Sequence, residues 1–66
     1  MKVYKVIFAK NEIISCTEMI SNASLVGLYH YEQNKGQLIY ALINAELDQD
    51  AYIIATTIIK EVSEHN

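Results

Sequence analysis

An α+β fold is predicted, with four antiparallel strands in two consecutive hairpins and one C-terminal helix packed across one face of the sheet, in ββββα order. Three features of the sequence predict it. Two pairs of β-branched and aromatic segments are each divided by a short polar break, "KNE" and "NKG". From Ala51 to Val62 the apolar residues recur at three-and-four spacing, the signature of a helix with one buried stripe. The 66 residues contain no proline, no repeat and no low-complexity run, so residues 1–66 are expected to form a single domain.

The first strand is expected at about 3–9, where "VYKVIFA" is dense in strand-forming residues, and the second at about 13–19, "IISCTEM". A three-residue loop at Lys10, Asn11 and Glu12 would pair Ala9 with Ile13, Phe8 with Ile14 and Val6 with Cys16. That register collects Tyr4, Val6, Phe8, Ile14 and Cys16 on a core face, with Val3, Lys5, Ile7, Ser15 and Thr17 opposite. A two-residue loop would carry Ser15 and Thr17 onto the apolar side.

"ISNAS", Ile20 to Ser24, reads as the connection between hairpins, and it leaves open which edge of the sheet the second hairpin joins. The third strand is expected at about 25–32 and the fourth at about 37–46, around a three-residue loop at Asn34, Lys35 and Gly36. This register opposes Tyr31 to Ile39, Tyr29 to Ala41, Gly27 to Ile43 and Leu25 to Ala45 on the face that a helix would cover. The other face opposes Glu32 to Leu38, His30 to Tyr40, Leu28 to Leu42 and Val26 to Asn44.

The helix is expected at about 49–63. Asp48 is a good N-cap, Asp50 adds negative charge to the first turn, and Ala51, Ile54, Ala55, Ile58, Ile59 and Val62 form the buried stripe. Ile53 falls nearly opposite that stripe.

One helix can cover only one face of the sheet. The uncovered face should then be mostly polar, as antiparallel sheets with a wet side are. Lys5, Ser15, Thr17, Glu32 and Asn44 suit water, but Val3, Ile7, Val26, Leu28, Leu38 and Leu42 do not. A chain this short buries only about 60% of the surface its unfolded form exposes, which favours association. The sequence therefore predicts a small non-enzymatic protein acting through protein-protein contact as a homodimer, or with another protein. The expected interface is Val26, Leu28, His30, Leu38, Tyr40 and Leu42. The alternative is a small-molecule-binding protein with a pocket at the subunit seam, lined by His30, Tyr40 and neighbouring aliphatics.

Other functions find less support. The chain has no arginine, five scattered lysines and a formal net charge of −3, so it lacks the clustered positive charge that nucleic acids require. Tyr29, Tyr31 and Tyr40 invite comparison with base-stacking sheets, but no basic groove accompanies them. The start, "MKVYKVIFAK", holds only a short apolar run broken by lysines, neither a signal-peptide core nor a membrane span, and a cytoplasmic protein with no membrane partner is expected. The single Cys16 agrees, since it can form no internal disulfide and is expected as a reduced thiol in the core. No metal is expected, because one cysteine and two distant histidines match no ligand spacing and "AELDQD" is explained by helix capping. His30, Glu32 and Tyr40 share a face and could do acid-base work, but no nucleophile or phosphate loop completes a site, so they read as a polar rim. No catalytic residue and no cofactor is expected.

Overall fold

The computed structural model describes residues 2–19, 25 and 27–64, and it has the expected ββββα architecture. The elements are β1 (Lys2–Ala9), β2 (Glu12–Glu18), β3 (Tyr29–Asn34), β4 (Gln37–Ala45) and α1 (Asp48–Glu64). The strands form one antiparallel sheet in the order β2-β1-β4-β3. The two hairpins thus meet through β1 and β4 at the centre, and β2 and β3 are the edges.

Both hairpins turn differently from the expectation. Lys10 and Asn11 have φ of 54° and 57°, and Lys35 and Gly36 have 53° and 79°, so each turn is two residues long and left-handed at both positions. Such turns match the right-handed twist of the strands they join. Ala9 then pairs with Glu12 and Phe8 with Ile13, but Ile7 pairs with Ser15, leaving Ile14 as a one-residue bulge. The second hairpin repeats the device: Asn34 pairs with Gln37, Gln33 with Leu38 and Glu32 with Tyr40, which leaves Ile39 unpaired.

The bulge removes the objection to a two-residue turn. Near the turn, Ile13 rather than Ile14 packs on the core; beyond the bulge, Val6 faces Cys16 as expected, and Ser15 and Thr17 stay on the other side. In the second hairpin the register beyond the bulge lies two residues from the expected one. Tyr31 opposes Ala41, Tyr29 opposes Ile43, His30 opposes Leu42, and the Asn44 N–H donates to the Leu28 carbonyl. A shift of two preserves the faces, so only Leu38 and Ile39 change sides.

Asn11 links the two turns. Its Oδ1 accepts the Leu38 N–H at 2.9 Å and its Nδ2 donates to the Gly36 carbonyl at 3.5 Å, extending the β1-β4 ladder past the end of β1. At the other end, Asn44 Nδ2 donates to the carbonyls of Leu25 and Gly27 at 3.0 and 2.7 Å. Gly27 has φ of 91°, and β3 begins at Tyr29 rather than near 25. The connection expected at Ile20 to Ser24 lies outside the described residues.

The core lies between the sheet and α1. Tyr4, Val6, Phe8, Leu38, Ala41, Ile43 and Ala45 meet Ala51, Ala55, Ile58 and Val62, with Ile54 and Ile59 half-buried beside them. Alanines on both surfaces let the helix approach closely. The helix begins one residue earlier than its acidic signal implies: the Leu47 carbonyl accepts the Ala51 N–H at 3.2 Å, which makes Leu47 the N-cap and Asp48 the first helical residue. Asp48 and Asp50 still complement the positive end of the helix dipole. α1 lies against β4, β2 and β1, and it reaches β3 through Tyr29, whose hydroxyl donates to the Glu61 carboxylate at 3.1 Å.

Candidate functional site

The face of the sheet away from α1 is built by alternation along each strand. Pairing sets its side chains in two cross-strand rows: Thr17, Lys5, Leu42 and His30 form one, and Ser15, Ile7, Tyr40 and Glu32 form the next. Each row has its apolar members on the central strands and its polar members at the edges, apart from Lys5. The Lys5 ammonium lies 5.5 Å from the centre of the Tyr40 ring, a cation-π contact. A third row holds Val3, Asn44 and Leu28. Val3 is buried there at 8% exposure, whereas Leu28 remains 55% exposed.

Of the residues expected at the interface, Leu28, His30, Tyr40 and Leu42 lie on this open face. Tyr40 and Leu42 are half-buried, and His30 is exposed. Leu38 is a correction: at 3% exposure it belongs to the core under α1, because the bulge at Ile39 moves it to the covered side. Val26 lies outside the described residues. Ile39, expected under the helix, is 49% exposed, and Ile14 is 62% exposed. The adjacent apolar pairs Ile13-Ile14 and Leu38-Ile39, each two places after a turn, were the available sign of a bulge, since strict alternation has no place for the second member.

His30 Nε2 and Glu32 Oε1 are 3.4 Å apart on the β3 edge. Tyr40 pairs across from Glu32 rather than from His30, the partner expected, and the imidazole, carboxylate and phenol share the open face. They lie side by side on the sheet surface beside Ile7 and Leu42. Hydroxyl, imidazole and carboxylate groups of the edge strands thus frame the apolar centre formed by Ile7, Tyr40 and Leu42.

A second feature lies on the opposite side of the molecule, between β2 and the first turns of α1. Cys16, Asp48, Gln49, Tyr52 and Ile53 line an open depression of about 340 Å³. Cys16 is half-buried and unpaired, not fully enclosed in the core. Burial, reinforced by the Asp48 carboxylate, pushes its thiol pKa up. The thiol is thereby held protonated and weakly nucleophilic. The hydrogen bond to Glu61, with burial adding to it, likewise raises the Tyr29 phenol.

Among the described residues no group of three or more His, Cys, Asp or Glu side chains is placed to hold a metal ion. Among them, too, no helix is long and apolar enough to cross a membrane. Comparison with protein-family models, curated proteins and solved structures finds no match. The class of the molecule is therefore defined by its fold, a four-stranded antiparallel sheet covered on one face by a C-terminal helix.

Proposed function

We propose that this chain is a small, non-enzymatic cytoplasmic protein that acts through protein-protein contact, as a homodimer joined by the open face of its sheet. The observation that carries the reading is the half-buried cluster of Ile7, Tyr40 and Leu42 at the centre of a face that α1 does not cover. A second copy is favoured over an unrelated partner because the face is self-complementary. Turned over about an axis across the strands, it sets His30 against Glu32 of a second copy, Leu42 against Tyr40 and Thr17 against Ser15, opposing no like charges, with Lys5 over Ile7 as the one polar-apolar mismatch.

Two features set the strength. The face is about 19 Å wide, four strands at ~4.8 Å each, and roughly 25 Å long on its central strands, so its projected area stays under the ~800 Å² per partner of a standard interface. Lys5, on a central strand, must keep its ammonium hydrated by reaching along Tyr40 toward the rim. A small face with a central charge is expected to associate weakly rather than as an obligate dimer.

Light scattering across a dilution series, with reductant present, tests the reading. The wild-type mass should rise from monomer to dimer between low micromolar and millimolar protein. A double variant, Leu28→Asp with Leu42→Asp, should remain monomeric throughout while keeping its circular dichroism spectrum. Dimerisation unchanged in that variant rules out this face.

A further inference from the structure

The outer edge of β2 offers hydrogen-bonding groups beside the depression. β2 ends the sheet order, and no described segment pairs with its outer side. The Met19 N–H donates to the Val3 carbonyl at 2.8 Å, and in an antiparallel ladder alternate pairs exchange such bonds. Thr17 and Ser15 accordingly bond inward to Lys5 and Ile7, and the N–H and C=O of Cys16 and Glu18 point outward. Cys16 and Glu18 are also the β2 positions whose side chains share the helix-covered side, opposite Val6 and Tyr4. A strand added to this edge would therefore bond to Cys16, and the residue directly opposite would send its side chain to the same side. That side chain would enter the depression lined by Cys16, Asp48, Gln49, Tyr52 and Ile53. Its volume of about 340 Å³ is about ten times the ~30 Å³ a liquid water occupies, room for an aliphatic group.

The surroundings specify the occupant. Tyr52 at 54% and Ile53 at 57% exposure present apolar surface on the wall, and Ile14 at 62% stands two residues from Cys16 on β2. Asp48 lines the depression, Asp50 is exposed in the same turn, and Glu12 and Glu18 stand at the two ends of β2. Lys2 lies 3.7 Å from Glu18 and offsets part of that charge. A second copy of β2 would bring its own Glu12 and Glu18 to an acidic site, so charge disfavours self-pairing.

We propose that the outer edge of β2 and the adjoining depression form a docking groove for an extended segment of another protein, with an aliphatic residue opposite Cys16 and a lysine or arginine two positions along, opposite Glu18. The segment adds as an antiparallel fifth strand. Main-chain bonds to Cys16 and Glu18 hold it, the depression selects the central side chain, and the acidic rim selects the basic flank.

The probe is the peptide acetyl-Thr-Lys-Val-Leu-Val-Lys-Thr-amide, titrated into isotopically labelled full-length protein and followed by amide chemical shifts. Saturable changes centred on Cys16, Glu18, Tyr52 and Ile53 are expected. The same peptide N-methylated at its leucine, which removes a strand-forming donor, should bind about tenfold more weakly, as should the peptide with glutamate in place of both lysines. Ile53→Asp, an exposed substitution that leaves the core intact, should weaken binding as well. No shift up to millimolar peptide, equal binding of the charge-reversed peptide, or changes centred on the open sheet face would each overturn the proposal. So would concentration-dependent shifts at Cys16 and Glu18 in the protein alone, which would assign the groove to a second copy.

Discussion

The two faces of the sheet are made by the same strands, yet they differ in how completely their apolar residues are covered. Under α1, Tyr4, Val6 and Phe8 of β1 are at most 5% exposed, and Ile43 and Ala41 of β4 are fully buried. On the open face the same two strands present Ile7, Tyr40 and Leu42 half-buried, with Lys5 among them. The covered face is a core in which hydrophobic transfer and close packing act together. The open face has apolar surface that α1 does not cover, with Val3 its one buried residue among those described. Burial on one side holds the monomer together, and incomplete burial on the other is what the proposed dimer would draw on.

The largest test of that contrast is a pair of truncations. Ile58, fully buried against the sheet, should lose about 2–5 kcal/mol on replacement by alanine, from lost transfer energy and the cavity left behind. A chain of this size is stable by only about 3–10 kcal/mol, so Ile58→Ala should be largely unfolded near its former melting temperature. Leu42→Ala on the open face should cost less than about 1 kcal/mol in dilute urea denaturation. Equal losses would mean that the open face is covered in the monomer too.

A smaller effect is expected from deleting Ile14. Phe8 already faces Ile13 and Ile7 already faces Ser15, so removal of the bulged residue leaves every other side chain on its present face. Stability should change by no more than about 1 kcal/mol, because no buried group is lost. Unfolding of the deletion variant would show that side-chain placement in β2 depends on the bulge.

The mildest test is alkaline titration, which acts on the covered side alone. Burial and Asp48 raise Cys16 above 9.0, burial chiefly raises Tyr4 above 10.0, and the Glu61 bond chiefly raises Tyr29 above 10.0. All three hold their protons in the folded protein at pH values where the unfolded chain releases them. Their contribution is thus fully present below about pH 9 and is lost as pH climbs through the folded-state values. The urea midpoint should fall through this interval, and Tyr29→Phe should reduce the slope. A midpoint that is flat beyond pH 10.0 would contradict these shifts.

Element order, the helix stripe and the core face of β1 were legible in the sequence because each depends on local periodicity. The registers near the turns were less so. A two-residue turn with a bulge and a three-residue turn without one place Val6 opposite Cys16 equally well. In the first hairpin they differ only at the residues beside the turn, which is why Ile13 exchanged places with Ile14; in the second the whole ladder beyond the bulge moved by two residues, which keeps every face, so only Leu38 and Ile39 exchanged sides. The open face was mostly foreseen, with Leu38 the error. The depression beside Cys16 was not, because Cys16 and Tyr52 are distant in sequence and no local pattern relates them.

By itself the sequence determined that this chain forms two hairpins and an amphipathic helix, since side-chain periodicity and turn-tolerant residues act over a few neighbours. It also determined that one helix could not cover both faces of the sheet. Only the tertiary structure decided that β1 and β4 share the centre, that each hairpin carries a bulge, and that β2 lies at an edge beside the start of α1. Those outcomes depend on which surfaces bury together with the least unpaired backbone, a comparison between segments far apart in the chain.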